Sequence, residues 1–231
     1  MASGDVSKQI SDAVAKTVEG GGDVVEATTE AARSSVVHGL RGARDMTREA
    51  TGLAGDAAAG AVHAANQAGS EVGKTIKGAI VGVIRGIGEV TTVTAGVLSD
   101  TIQAAIKGTG EVGGEVTAAA RHTAEGALEA SKSVGVKVED AAFSIGKGAV
   151  KGAAEVGGDV AVAARNAVEG AIDGAKRIGV KAEDAASAAA SGAIEGAGEV
   201  GESAVKEVTD AVSGTIAGIK VVVKAPFKKE Q

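Results

Sequence analysis

Two glycine clusters in the chain have the form of a nucleotide-binding turn. Gly108-Thr109-Gly110-Glu111-Val112-Gly113 and Gly196-Ala197-Gly198-Glu199-Val200-Gly201 both fit G-x-G-x-x-G, the turn whose glycine amides approach a pyrophosphate at a helix N-terminus. That chemistry needs a strand before the turn and a helix after it. The two clusters lie 88 residues apart, and halfway between them the same stretch reads Gly152-Ala153-Ala154-Glu155-Val156-Gly157. The pattern therefore belongs to a repeat and not to a cofactor site. His38, His63 and His122 share no metal-ligand spacing, and Asn166 stands in the next repeat where His122 stands in the first. The acidic pairs Glu139-Asp140 and Glu183-Asp184 are consecutive, so on a helix they point about 100° apart and suit solvation better than a shared proton or metal. The chain has no cysteine, which excludes thiolate sites. Neither a Ser-His-Asp set nor a P-loop is present. The expectation is a protein with no enzymatic activity, no catalytic or metal site, no cofactor and no small-molecule substrate.

The elements behind these residues come from a 44-residue unit. Residues 110–153 align without a gap on 154–197, and a partial third copy begins at 198. Gly88-Glu89-Val90 precedes Gly110-Glu111-Val112 by 22 residues, so the intervals are multiples of 11. An 11-residue period places about 3.67 residues on each turn, close to a straight α-helix. Val112, Val116, Ala119, Ala120, Val134 and Val138 fall on one stripe, with Glu111, Glu115, Arg121, Glu125 and Glu129 opposite. The chain should be all-α: long amphipathic helices with hendecad periodicity and tandem 44-residue repeats, packed as an extended bundle or helical assembly. A helix through a whole repeat would be about 66 Å long. Breaks are expected at Gly20 to Gly22, with Gly113-Gly114 and Gly157-Gly158 as further candidates.

The stripe is made of Val and Ala with Gly between, which buries little area per residue. It must therefore be very long or very closely packed. Gly78, Gly82 and Gly86 recur at four residues, as do Gly148 with Gly152, Gly170 with Gly174, Gly192 with Gly196 and Gly214 with Gly218. Small residues at that spacing let helix backbones approach. These glycines are the candidate helix-packing residues.

Composition supports extended helices over a compact globule. The 231 residues include two Phe, no Tyr, no Trp and one Pro, at position 226, against 36 Gly. Isolated helices so rich in glycine would be marginal, because each costs about 1 kcal/mol relative to Ala. Net charge is −6 with both signs interspersed, which disfavours nucleic acid. No apolar run approaches the ~20 residues of a spanning helix, and the start lacks the features of a signal peptide. A cytoplasmic location follows, with a peripheral membrane or lipid surface as the alternative.

In order, the sequence divides into a polar N-terminal helical region (1–68), an apolar Gly-rich helix (69–109), repeat 1 (110–153), repeat 2 (154–197), a partial repeat 3 (198–224) and a basic tail (225–231). Ala15-Lys16-Thr17-Val18-Glu19-Gly20 and Ser35-Val36-Val37-His38-Gly39, together with the 11-residue period, resemble the synuclein, late-embryogenesis-abundant and perilipin-type repeat proteins. That resemblance implies helices that form on lipid surfaces or on drying. The chain differs from those families in lacking their Lys-rich polar-apolar boundary and in carrying more Gly and Val. In the tail, Pro226 is expected to end the last helix, and Phe227, Lys228 and Lys229 are candidates for attachment to a lipid surface or to the acidic groove of a neighbouring subunit. The function expected is structural: helices that self-associate into a bundle, tube, filament or shell, the partner being the chain itself. The alternative is a lipid-surface coat or a stress-protection protein that folds on a surface.

Overall fold

The computed structural model describes residues 8–10, 12–13, 16, 23–41, 46–68 and 71–223. The fold is all-α, as the sequence implies. Its main elements are α1 (Val24–Leu40), α2 (Met46–Ala68), α3 (Val72–Val90), α4 (Ala95–Glu111), α5 (Val116–Ser133), α6 (Val138–Glu155), α7 (Val160–Ile178), α8 (Ala182–Val200) and α9 (Glu202–Val212), followed by strands β1 (Gly214–Ile216) and β2 (Ile219–Val221).

The 44-residue unit is bent at its middle, so each copy is a pair of helices of 18 or 19 residues and not one continuous rod. Each turn is closed by a left-handed glycine: Gly113, Gly135, Gly157 and Gly179, all with φ between 68° and 74°. These glycines recur every 22 residues, the length of one helix and one turn. After each, the next amide reaches back five residues, as in Gly114 to Thr109, Val136 to Ser131, Gly158 to Ala153 and Val180 to Ala175. This Schellman arrangement satisfies the last carbonyls of the helix. Two of these turns, at Gly135 and Gly179, are breaks the sequence reading did not anticipate. The expected single helix over 69–109 is likewise two. Thr91-Thr92-Val93-Thr94 interrupts it, Thr91 is extended, and the Thr94 hydroxyl accepts from the Val97 amide to start α4. Asp159 does the same for α7, accepting from Ala161 and Val162 at 3.0 Å each.

The most extensive contacts join helices two apart in the chain, α1 to α3, α3 to α5, α5 to α7, and α2 to α4, α4 to α6, α6 to α8. Consecutive helices touch across the space between the two rows. The result is two stacked layers, with α1, α3, α5, α7 and α9 in one and α2, α4, α6 and α8 in the other. The core lies between them. At its N-terminal side it is built from Ile76, Ile80, Ile84, Leu98, Ile102 and Ile106, all buried. Toward the C-terminus it thins to alanine, as in Ala185, Ala186, Ala189, Ala190 and Ala193 on α8.

The partial third repeat departs from the helical expectation. After Val212 the chain turns into an antiparallel hairpin pairing Gly214 with Val221 and Ile216 with Ile219. Gly214 and Gly218 have φ of 93° and 80° and a Cβ on either would meet nothing within 4 Å. They are turn glycines and not helix-packing residues. The β-branched Ile219, Val221, Val222 and Val223 favour extended backbone, so the helix stops well before Pro226. Ile216 and Val221 are buried, and the Val222 amide donates to Ser187 Oγ at 3.1 Å. The hairpin thus sits against α8 where a further helix of that layer would lie.

Candidate interaction surface

The predicted packing glycines are brought together with backbone carbonyls of the neighbouring helix in the same layer. A Cβ on Gly78 would lie 2.8 Å from the Val25 carbonyl oxygen and one on Gly86 2.9 Å from that of Arg33, while Gly82 faces Thr29 and Ala32. On α6, Gly148 and Gly152 would meet the Ser99 and Gln103 oxygens at 2.5 and 2.7 Å. Gly170 and Gly174 of α7 face Arg121, Glu125 and Leu128 of α5, and Gly192 and Gly196 of α8 face Phe143 and Lys147 of α6. A methyl group fits at none of these positions without separating the helices. The stripes meet other segments of the same chain. Phe227, Lys228 and Lys229 lie outside the described residues.

The G-x-G-x-x-G stretches close helices. Gly108 lies in α4 against the Gly55 backbone, and Gly113 is the left-handed turn residue after it. His38 and His63 stand exposed on α1 and α2. His122 lies 3.9 Å from Glu125.

The sequence reading missed a ladder of ion pairs across the seams. A base on one helix reaches acids 48 and 52 residues on, which is one repeat plus one or two helical turns. Arg121 meets Glu169 and Asp173, and Lys147 meets Glu195 and Glu199. The third set, Lys77 with Glu125 and Glu129 at 3.1 and 2.7 Å, is joined from the other side by Arg177, 2.5 Å from Glu125. Four charged groups thereby link α3, α5 and α7. Glu125 is 7% exposed. The neighbouring His122, then Lys77 and Arg177, pull its carboxyl down to about 2 against the upward push of burial. Because His122 stands 3.9 Å away, the direct contacts are those of Lys77 and Arg177. The signal for the ladder was present as charges at constant offset, but only a hairpin repeat makes 48 residues a contact distance.

One seam is open. Between α2 and α4 lies a groove of about 650 Å³ that extends to Glu155 on α6. Gly52, Gly55, Ala59, Ala104 and Gly108 form its small-residue floor. In the α6/α8 seam the contact that matches Gly108 on the Gly55 backbone is Gly196 on that of Lys147, whose side chain bridges to α8. Gly55 carries no such side chain over the α2/α4 seam.

No protein-family model matches the chain, and comparison with curated proteins gives no match. Among solved structures, the chain is similar to a de novo designed helical repeat protein, at 20% identity and a TM-score of 0.42, over 80% of this chain and 94% of that one.

Proposed function

We propose that this chain is a non-enzymatic structural protein, a prefolded helical-repeat block that associates with further copies of itself. One observation carries the prefolded, structural part of this reading: the register-locked glycines set backbone on backbone in successive seams of both layers. The body is therefore close-packed before any partner arrives, and dispersion between backbones offsets the entropy that glycine loses in a helix. The outer faces carry the paired charges of the ladder, so copies meet through surfaces other than the glycine stripes.

The lipid-surface reading would require the apolar stripes to leave these seams and face a bilayer. Among the described residues no helix is long and apolar enough to cross a membrane.

Sedimentation velocity and circular dichroism, run over a hundredfold range of concentration with and without vesicles, separate the two. Constant helicity with a mass that rises with concentration is the expected result. A monomer at every concentration refutes self-association, and helicity that appears only with vesicles transfers the case to the lipid surface.

A further inference from the structure

The α2/α4 groove is lined by Asp56, Asp100, Glu111 and Glu155 against Arg48 and Lys107, four carboxylates to two bases, with Glu155 already held by Lys107 and Gln103. Its floor is apolar and nearly free of side chains. Residues 224–231 carry the complementary chemistry in a short span: Lys224, Lys228 and Lys229 against Glu230, with Phe227 among them and Pro226 removing one backbone donor. We propose that the C-terminal segment of one copy docks in the α2/α4 groove of a second copy, with Phe227 on the Gly52-Gly55-Ala59 floor and the lysines toward the carboxylates. The inference rests on the self-association reading and names the contact that produces it.

Chain length makes the contact intermolecular. Val222 is tied to Ser187 on α8, and the five residues from there to Phe227 span about 17 Å at most. Because the hairpin lies beyond α8, reaching the α2/α4 seam means crossing α8, α6 and α4, and helix spacings of about 8–10 Å put that seam about 28–35 Å away. The segment therefore reaches the groove of a neighbour and not its own. Each copy has one groove and one tail, so the contact is heterologous and propagates unless the rotation between copies closes a ring.

Gly52 gives a clean probe of the groove. A Cβ there meets nothing within 4 Å among the described residues, and leucine is a better helix former than glycine, so Gly52→Leu fills the floor while leaving the seam intact. A labelled peptide of residues 221–231, titrated into the full chain at low and high salt, should bind and should weaken as salt rises. Its affinity should fall tenfold or more in Gly52→Leu, in Asp100→Lys with Glu111→Lys, and when the peptide carries Phe227→Ser. Gly198→Leu, open on α8, serves as the control and should leave binding unchanged. In sedimentation, deletion of 225–231 should abolish the mass increase of the full chain. Lys228→Glu with Lys229→Glu should do the same, and Asp100→Lys with Glu111→Lys should restore it. Peptide binding that ignores Gly52→Leu and the charge reversals overturns the proposal. Association that survives tail deletion also overturns it, yet leaves the structural-protein reading standing. A full chain that never associates ends both.

Discussion

Replacing Gly152 by alanine tests whether the glycine seams hold the body together. On an exposed helix the change would stabilise by about 1 kcal/mol, because alanine loses less backbone entropy. At Gly152 the new methyl would sit 2.7 Å from the Gln103 carbonyl oxygen and 3.0 Å from Ile106 Cβ. An unstrained C–H···O contact lies near 3.3–3.6 Å, so α6 must retreat from α4 by roughly 0.6–0.9 Å. A gap of that size forfeits about a quarter to a half of each dispersion contact along the seam, and overpacking of this kind typically costs ~1–3 kcal/mol. The methyl also cannot escape toward solvent, since the obstructing atom is backbone. The net expectation is a loss of about 1–2 kcal/mol. Gly198→Ala is the matched comparison: the residue is also helical, and its Cβ meets nothing within 4 Å. It should gain up to about 1 kcal/mol. Urea unfolding followed by circular dichroism, supported by amide exchange on α4 and α6 because repeat arrays need not unfold in one step, would measure both. If the two alanines stabilise alike, the close approach of the seams is not what the fold depends on.

Glu125 should make stability sensitive to acid. Its carboxyl is lowered from 4.5 to about 2, so its contribution is complete above the unfolded value and is lost as pH falls from 4.5 toward 2. Glu125→Gln should flatten urea midpoints across that window. Gly179→Ala, which forces a φ of 74° on a residue with a Cβ, should destabilise by about 1–2 kcal/mol although nothing obstructs the methyl, and Gly179→Asn should recover part of the loss. Among the described residues the buried Thr123 hydroxyl has no hydrogen-bond partner. Thr123→Val removes its desolvation penalty at similar shape and should raise the thermal midpoint, corresponding to about 1 kcal/mol.

Much was determined by residues close together in sequence. The helical class follows from Val and Ala at helical spacing and from 225 residues without proline before Pro226. The glycines at four-residue spacing in α3, α6, α7 and α8 lie against carbonyls of a neighbouring helix, because only a missing Cβ lets those atoms sit so near. The 22-residue interval was also visible. What it meant was not, since a multiple of 11 suits one continuous helix and, equally, a helix plus its turn. Left-handed glycines at 113, 135, 157 and 179 decide between them, and a glycine's φ cannot be read from its letter. Gly214 and Gly218 repeat the four-residue spacing but fall where β-branched residues prefer extended backbone, so the same letters turn a hairpin.

The tertiary structure alone decided which partner each stripe meets. Spacing along a helix fixes a face, but the choice among another molecule, a lipid surface and the next helix but one depends on where the chain folds back. Once it folds back every 22 residues, Gly152 falls on Gln103, Lys77 lands beside Glu125, and the absence of bulk at Gly55 and Ala59 becomes a groove. None of these contacts is local, and that is why the sequence established the elements while the packing of two layers established the surfaces.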